Sequence, residues 1–216
     1  ANPKAREIMK RYVDENLNRV FKEHKNPETN EQKLANILTK LVKENDILLD
    51  IHSTHSDDEP FVFLDYNDEE NNKLAKACLV ENILIGWPEI YENSDASDTC
   101  FYAKNNNKVW VTLECWNHYK KESIEVAKKA ILNVLTTYWN IDYEVKNINN
   151  FNNVLVQKYF IKEKHWKLQQ DFNHLDKIKV WEIIAQYEDG TNIKMPYDWY
   201  ILLPFLEANI WDEWFY

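Results

Sequence analysis

Two short apolar runs, residues 47–51 and 109–113, constrain the fold of this chain more than any other feature. Neither run alternates strictly between polar and apolar residues, which is typical of strands that are buried on both faces. Apolar residues recur at helical spacing in three segments around them, residues 28–46, 68–80 and 121–138. Strands that alternate with helices predict an α/β domain with a mainly parallel or mixed sheet. In such sheets, ligands bind beyond the carboxyl ends of the strands.

The sequence changes character after residue 146. A polar, Asn-rich segment is followed by short segments with strand propensity, and Glu188-Asp189-Gly190 is a turn signal between two of them. The predicted strands are residues 154–161, 182–187, 192–195 and 200–203. We therefore expect two domains, an α/β domain over residues 1–146 and a small, mostly β domain over residues 147–216.

Charge and composition narrow the classes of partner. The 216 residues are 44 % hydrophobic and 29 % charged, with a net charge of −10 at pH 7. We therefore expect a soluble protein that binds neither nucleic acid nor an anionic membrane. No apolar run reaches the roughly 20 residues that span a bilayer. Three scattered cysteines do not form a disulfide framework, which favours a reducing, cytoplasmic location. The sequence is compatible with an oligomer and does not set its size.

Two polar side chains stand where the apolar runs end. His52 follows the first run, and Glu114 follows the second. The carboxyl ends of parallel strands share one edge of a sheet, so both are candidates for a site there. His52 is a candidate metal ligand, and Asp50, on the same face of the strand, would orient its ring. Glu114 is a candidate general base. The alternative for each is a surface side chain without a catalytic role.

The segment Arg11-Tyr-Val-Asp-Glu-Asn-Leu-Asn-Arg19 contains a third set of candidates. A guanidinium group is a natural bidentate partner of a carboxylate. Arg11, together with the adjacent Asn18 and Arg19, therefore suggests a site for an anionic substrate group. Arginines in polar segments are more often solvated, so the residues alone leave both interpretations open.

Five stretches follow one another along the chain in a specific order. They are ANPKA (1–5), RYVDENLNRVF (11–21), LLDIHSTHSDDEPFVF (48–63), VTLECWNH (111–118) and KMPYDWYILLP with WDEWFY (194–216). Together they resemble the succinylglutamate desuccinylase/aspartoacylase family, zinc enzymes related to metallocarboxypeptidases. The resemblance extends over nearly the whole chain. It implies an α/β zinc-hydrolase domain that is followed by a small β domain.

The resemblance implies a role for each candidate residue. His52 would be the third ligand of a Zn²⁺ ion, and Glu114 would be the general base that activates water and then returns the proton. Arg11 would polarise the scissile carbonyl, while Asn18 and Arg19 would hold the substrate carboxylate. The zinc ion and Arg11 would both stabilise the developing oxyanion. The implied activity is hydrolysis of the amide bond in a small N-acyl amino acid.

Two other functions stay open. A metallocarboxypeptidase that trims peptides would use the same chemistry. A non-catalytic relative would keep the carboxylate pocket and lack the metal. In the family the small β domain narrows the cleft, which favours a small N-acyl amino acid over a peptide.

The sequence departs from the family in two places. Asn16-Leu17 stands where the family usually has Asp-Leu, which removes a negative charge next to Asn18 and Arg19. The family takes its first two zinc ligands from a His-x-x-Glu motif upstream of the stretch at residues 1–5, and the 216 residues contain no such motif. We therefore expect that the N-terminal part of the fold is missing from this chain. A chain with one ligand is expected to bind zinc weakly and to be inactive.

Glycine and tryptophan occur in unusual numbers. The chain has 2 Gly and 9 Trp, whereas glycine ordinarily makes up about 7 % of a protein. Several tryptophans stand where a turn, a helix cap or the family pattern usually has glycine. They are Trp116, Trp139, Trp181, Trp199 and Trp211. Some genetic codes read UGA as glycine, so a translation that reads UGA as tryptophan would produce this pattern. The alternative is a divergent protein with indoles in its turns.

Overall fold

In a computed structural model of the chain, the described residues are 2–54, 59–88, 98–143, 148, 150–158, 160–162, 166–205, 210 and 213–216. The helices are α1 (Pro3–Glu7), α2 (Asn30–Glu44), α3 (Glu69–Ala77), α4 (Thr99–Asn105) and α5 (Lys121–Trp139), with a 3-10 turn at Leu17–Arg19. The first five strands are β1 (Ile47–Thr54), β2 (Phe61–Leu64), β3 (Asn82–Ile85), β4 (Val109–Asn117) and β5 (Asn152–Leu155). The remaining strands are β6 (Phe160–Ile161), β7 (Trp166–Leu168), β8 (Asp176–Ile178), β9 (Ile183–Tyr187), β10 (Asn192–Lys194), β11 (Trp199–Ile201) and β12 (Glu213–Phe215).

The first five strands form one mixed sheet in the order β1-β4-β2-β3-β5. The pairs β1–β4, β2–β3 and β3–β5 are parallel, and β2 runs antiparallel to β4. Small antiparallel sheets follow, with the strand orders β10-β9-β7, β11-β8 and β12-β6. The prediction of an α/β fold with a mixed sheet and a small β region after it is confirmed.

Alternate residues of the central strands pack on opposite faces of the sheet. Val111 and Leu113 of β4 are fully buried in a cluster with apolar residues of α3 and α5. Trp110, on the other face of β4, packs in a second cluster with apolar residues of α2 and α4. Phe61 of β2 belongs to a third cluster, to which the C-terminal residues Leu202 and Tyr216 contribute. Helices therefore cover one face, whereas helices and C-terminal residues share the other.

The strands that carry the candidate site are longer than the sequence predicts. The parallel pairing of β1 with β4 continues as far as Thr54 and Asn117, through an irregular register after His52. His52 and Glu114 therefore lie inside their strands, near the carboxyl ends, and not just past the ends as predicted. The reason is that the backbone ladder between the two strands continues into polar sequence, which an apolar pattern does not reveal.

Several elements are missing from the sequence-based prediction or differ from it. The strands β2 and β3 have four residues each, and α4 has seven, which is too short for a periodic pattern to stand out. The predicted strand at 154–161 is two strands. β5 pairs with β3 of the main sheet, and β6 pairs with β12. The predicted domain boundary at 146/147 lies outside the described residues and stays a prediction.

Two of the five suspect tryptophans have backbone angles that favour glycine. Trp116 has a φ of 112° and Trp181 has a φ of 63°. The value at Trp181 falls in the left-handed helical region, which side-chain residues visit at a cost. The value at Trp116 lies beyond that region, in a part of φ space that is essentially restricted to glycine.

Trp139 and Trp199 do not follow this pattern. Trp139 is the last residue of α5, and Asn140 after it has a left-handed φ of 54° and ends the helix. The position that favours glycine is therefore 140. Trp199 lies within β11, so it is a strand residue and not a turn residue. Trp211 lies outside the described residues.

None of the helices in the described ranges is both long and apolar enough to cross a membrane.

Candidate active site

His52 and Glu114 are direct neighbours on the two parallel strands β1 and β4. His52 Nδ1 lies 3.6 Å from Glu114 Oε1, and His52 Nε2 lies 3.2 Å from Asp50 Oδ2. Asp50 and His52 are two residues apart, so their side chains project from the same face of β1. The imidazole ring is therefore held between two carboxylates, and each of its nitrogens faces one of them.

The first two residues of α4 make polar contacts with β1 and β4 beside this arrangement. The hydroxyl of Thr99, the first residue of α4, donates a hydrogen bond to Asp50 Oδ2. The next residue, Cys100, has its Sγ 2.8 Å from the hydroxyl of Thr112 on β4. Thr99 is not among the site residues that the sequence predicts. The sequence indicates only where α4 begins, because Asp98 is a good N-cap residue and accepts a hydrogen bond from the Phe101 backbone.

The two carboxylates set the charge of His52. Burial lowers the pKa of His52, but the hydrogen bonds to Asp50 and Glu114 and their negative charges raise it to about 10. Burial likewise raises the pKa of Asp50, while the hydrogen bond to His52 and its positive charge bring that pKa below its usual value. In this arrangement the imidazolium form of His52 is favoured at neutral pH.

The two carboxylate oxygens of Glu114 have different surroundings. Its side chain is 13 % exposed, and Oε1 faces His52. The other oxygen, Oε2, is buried without a hydrogen-bond partner among the described residues. On the far side of Glu114, its neighbour on β2 is the buried ring of Phe61. A carboxylate at such a strand end is a candidate general base.

The segment around Arg11 and Arg19 is more open than the strand site. Both arginines are exposed, and Arg19 Nη1 donates to the Asn18 carbonyl at 3.1 Å. The Asn16 side chain accepts from the Asn18 backbone N–H at 3.1 Å and thereby caps the 3-10 turn. This cap does not require the charge of an aspartate. Within the described residues, no hydrogen bond or ion pair joins the arginines to His52 or Glu114.

A zinc site normally needs three protein ligands. His52 supplies one imidazole of the kind that zinc binds, but both of its nitrogens face carboxylates. Across the described ranges, no group of three or more His, Cys, Asp or Glu side chains could hold a metal ion. These residues alone therefore do not fit a complete zinc site.

Comparisons with known proteins give the chain a family. The sequence model of the succinylglutamate desuccinylase/aspartoacylase catalytic domain matches residues 1–138. No curated protein sequence matches the chain.

Several solved structures share the fold. The succinylglutamate desuccinylase of Vibrio parahaemolyticus is 17 % identical, has a TM-score of 0.72, and aligns with 100 % of this chain and 68 % of its own. A succinylglutamate desuccinylase/aspartoacylase of Rhodobacter sphaeroides is 16 % identical, has a TM-score of 0.75, and aligns with 99 % of this chain and 71 % of its own. The product-bound ectoine utilization protein EutE (DoeB) of Ruegeria pomeroyi is 18 % identical, has a TM-score of 0.77, and aligns with 99 % of this chain and 71 % of its own.

Proposed function

The chain belongs to the succinylglutamate desuccinylase/aspartoacylase family, and we propose that it takes part in the hydrolysis of the amide bond of a small N-acyl amino acid. One observation carries this proposal: His52 and Glu114 are neighbours on parallel strands and 3.6 Å apart. These are the two residues to which the resemblance gives the metal-ligand and general-base roles.

The proposed role of Glu114 is to move one proton. The Glu114 carboxylate, whose side chain is 13 % exposed, takes a proton from the attacking water as the oxygen of that water bonds to the carbonyl carbon. The carbon–nitrogen bond then breaks, and the proton passes from Glu114 to the leaving amine. The products are a carboxylic acid and a free amino acid. The buried surroundings of Glu114 limit competition from solvent for this proton.

Arg11, Asn18 and Arg19 have the proposed role of binding the substrate. Arg11 would donate to the scissile carbonyl oxygen as negative charge develops there. Arg19 and Asn18 would bind the carboxylate of the amino acid. The exposure of both arginines supports this role, since their guanidinium groups form no ion pair with another side chain of the described residues.

Zinc is part of the proposal for the complete protein. When bound, zinc lowers the pKa of a water molecule towards 7 and polarises the substrate carbonyl. His52 would be one ligand, and we propose that a His-x-x-Glu pair outside the 216 residues supplies the other two. The 216-residue chain alone would then bind zinc weakly and be inactive. Stoichiometric zinc in that chain after dialysis against buffer would contradict the proposed ligand set.

The C-terminal region has a proposed role in substrate size. His174 stacks on Phe61 with a centroid distance of 4.3 Å, and Phe61 is the β2 neighbour of Glu114. The C-terminal residues thus reach the strand beside the proposed base, which would restrict the cleft to small substrates. We also propose a cytoplasmic location, which the buried free thiols of Cys78, Cys100 and Cys115 favour.

The decisive experiment is a hydrolysis assay on the product of the whole open reading frame, loaded with zinc. The substrates are N-acetyl and N-succinyl derivatives of aspartate, glutamate and lysine, with dipeptides that have a free amino terminus as the comparison. Release of amine from an N-acyl amino acid is the expected result. Cleavage of the dipeptides alone would favour a carboxypeptidase. Binding of an N-acyl amino acid without turnover would favour a non-catalytic relative.

A further inference from the structure

Glu31, in the first turn of α2, is a carboxylate in an unusual position. It is fully buried, at 0 % exposure, and the groups that donate hydrogen bonds to its side chain lie outside α2. Oε1 accepts from the Val13 backbone at 2.8 Å and from Asn2 Nδ2 at 2.6 Å. Oε2 accepts from the backbones of Asp14 at 3.2 Å and Glu15 at 3.4 Å. A buried carboxylate is tolerated only with such a set of donors.

The contacts also run in the opposite direction. The Asp14 side chain accepts from the Asn30 backbone at 2.8 Å. The Glu15 side chain accepts from the Thr29 hydroxyl and, at 2.9 Å, from Gln32 Nε2. Hydrogen bonds thus join residues 13–15 to the start of α2, and each of the two segments donates some of them and accepts others. We call this set of contacts the 13–15 latch.

The 13–15 latch lies between the proposed substrate-binding residues. Arg11 precedes it by two residues, and Asn18 and Arg19 follow it in the turn that Asn16 caps. Between α1 and α2, where all of residues 8–29 are described, the 3-10 turn Leu17–Arg19 is the one element of regular structure. Within this connection, residues 13–15 are held by the side-chain contacts of the 13–15 latch.

We propose that Glu31 is the positioning residue of the segment from Arg11 to Arg19. This inference rests on the proposed function. By holding three successive backbone N–H groups, Glu31 fixes the direction in which the chain leaves Arg11 and enters the 3-10 turn. The backbone that carries the two arginines is then ordered before substrate arrives, so binding does not need to order it. Burial raises the pKa of Glu31, but the four hydrogen bonds lower it to about 2, so the carboxylate stays charged throughout the working pH range.

The test compares E31Q, E31D and E44Q in the zinc-loaded product of the whole open reading frame. In E31Q an amide NH2 faces the N–H donors of the latch, whereas E31D keeps the charge. E44Q is the matched control, because Glu44 lies at the other end of α2 with its side chain 55 % exposed. We expect E31Q to raise KM at least tenfold for an N-acyl amino acid, E31D to restore part of this loss, and E44Q to behave as the unmodified protein.

A second substrate separates positioning from a general loss of structure. For the α-amide of the same N-acyl amino acid, which lacks the carboxylate, we expect the KM of E31Q to change less than threefold. An equal fall of kcat for both substrates with KM unchanged would overturn the inference, because that pattern indicates a smaller folded fraction. Failure of the unmodified protein to hydrolyse or bind any N-acyl amino acid would overturn the proposed function and the substrate role of Glu31 together.

Limited trypsin digestion tests the latch without a substrate. We expect E31Q to be cut at least ten times faster after Arg11 and Arg19, while cleavage after Lys128 on α5 stays unchanged. Unchanged cleavage at both arginines would overturn the inference whatever the activity of the protein.

A separate observation concerns Trp116, two residues after Glu114. Between Glu114 and Asn117, β4 has two residues where β1 has one between His52 and Thr54, which is the pattern of a β-bulge. Trp116 has a φ of 112° in this bulge, whereas the other positive-φ residues with side chains have values from 47° to 67°. Its indole Nε1 is buried without a hydrogen-bond partner in the described part of the chain.

We infer that residues 116 and 181 are glycine in the protein as the cell makes it, through UGA codons read as glycine. A bulge with this φ strongly favours glycine, and Trp181 is the second of the described tryptophans with a positive φ. With glycine at 116, no indole side chain would project from β4 two residues after Glu114. The 2 Gly and 9 Trp of the sequence agree with such a substitution.

Trp110 provides an internal control for the codon test. It is 5 % exposed in the apolar cluster on α2 and α4, where an indole is well accommodated. We expect UGA at codons 116 and 181, UGG at codon 110, and native tryptic peptides with the mass of glycine at 116 and 181. Tryptophan in the native peptide that contains residue 116 would overturn the inference. In the recombinant chain, W116G is expected to raise the Tm, and a lower Tm would contradict the bulge argument.

Discussion

Two histidines on either side of Glu114 have pKa values that are shifted in opposite directions. His52 is the neighbour of Glu114 on β1, and His174 stacks on Phe61, its neighbour on β2. The pKa of His52 is raised to about 10, whereas burial lowers the pKa of His174 to about 3. The side chain of His52 is 30 % exposed, and His174 is 6 % exposed.

The difference shows that partners decide the charge of a histidine once it has left bulk water. Both rings are desolvated, which favours the neutral form. Two carboxylates overcome this preference at His52. At His174 the ring lies against Phe61, and its Nδ1 accepts from the Leu203 backbone at 3.0 Å, which requires an unprotonated nitrogen. The β1 side of Glu114 is therefore polar and charged, and the β2 side is neutral and aromatic.

The largest effect is expected from removing the carboxylate between the two histidines. E114Q should lower kcat by about 10²–10⁴-fold, the usual contribution of a general base. The fold should persist, because glutamine has nearly the same shape. The measurement is the N-acyl amino acid hydrolysis assay on the complete zinc-loaded protein. The control is E125Q, whose carboxylate pairs with Lys128 on the exposed face of α5. A kcat within threefold of the unmodified value would remove Glu114 from the mechanism.

The second prediction tests whether His52 stabilises the two carboxylates of Asp50 and Glu114 on the β1 side of the site. In H52A, Asp50 and Glu114 face each other without the imidazolium. We expect the free energy of unfolding to fall by about 1.5–3 kcal/mol, the range for hydrogen bonds to charged groups. Urea denaturation of the 216-residue chain measures this change. H118A, at an exposed histidine after β4, should change stability by less than about 0.5 kcal/mol. Equal effects of the two substitutions would mean that His52 does not stabilise the carboxylates.

The neutral side is tested by H174F. Phenylalanine keeps the stack on Phe61 but removes the acceptor for the Leu203 N–H. A partly buried N–H that loses its acceptor should lower the free energy of unfolding by about 1 kcal/mol.

The same substitution tests the pH dependence of stability. The folded pKa of His174 is about 3 and the unfolded value is 6.5. In that window the unfolded chain binds a proton that the folded chain excludes, so stability falls as the pH falls from 6.5 towards 3. The gap in Tm between the unmodified chain and H174F should therefore shrink between pH 7 and pH 4. A constant gap would indicate that His174 does not titrate differently on unfolding.

The smallest effect is expected from removing the hydrogen bond that the Thr99 hydroxyl donates to Asp50. T99V removes the hydroxyl that donates to Asp50 but keeps the shape of the side chain. We expect a loss of about 0.5–1.5 kcal/mol in the free energy of unfolding. T136V is the matched control, since the Thr136 hydroxyl bonds to a carbonyl of its own helix at 2.9 Å. A loss no larger than that of T136V would mean that α4 does not stabilise Asp50.

Local patterns in the sequence are enough to predict the main elements of the α/β fold. The apolar runs at 47–51 and 109–113 lie in β1 and β4, and the helical patterns at 28–46 and 121–138 correspond to α2 and α5. The reason is physical, because the spacing of apolar residues along a strand or helix is fixed by its own backbone geometry. The prediction that Asp50 and His52 share a face follows from the same period of two, and their 3.2 Å contact agrees with it.

The tertiary structure decided which of these residues meet. The register of β1 against β4 sets His52 opposite Glu114, and it depends on pairing between strands that are distant in sequence. The same holds for Thr99 at Asp50, Glu31 at the 13–15 segment and His174 on Phe61. None of these contacts has a local signature. Composition pointed to the tryptophans, but the φ of 112° at Trp116 follows from the bulge between two paired strands. Sequence determined the elements through local backbone periodicity, and long-range packing determined the charges and neighbours of the site.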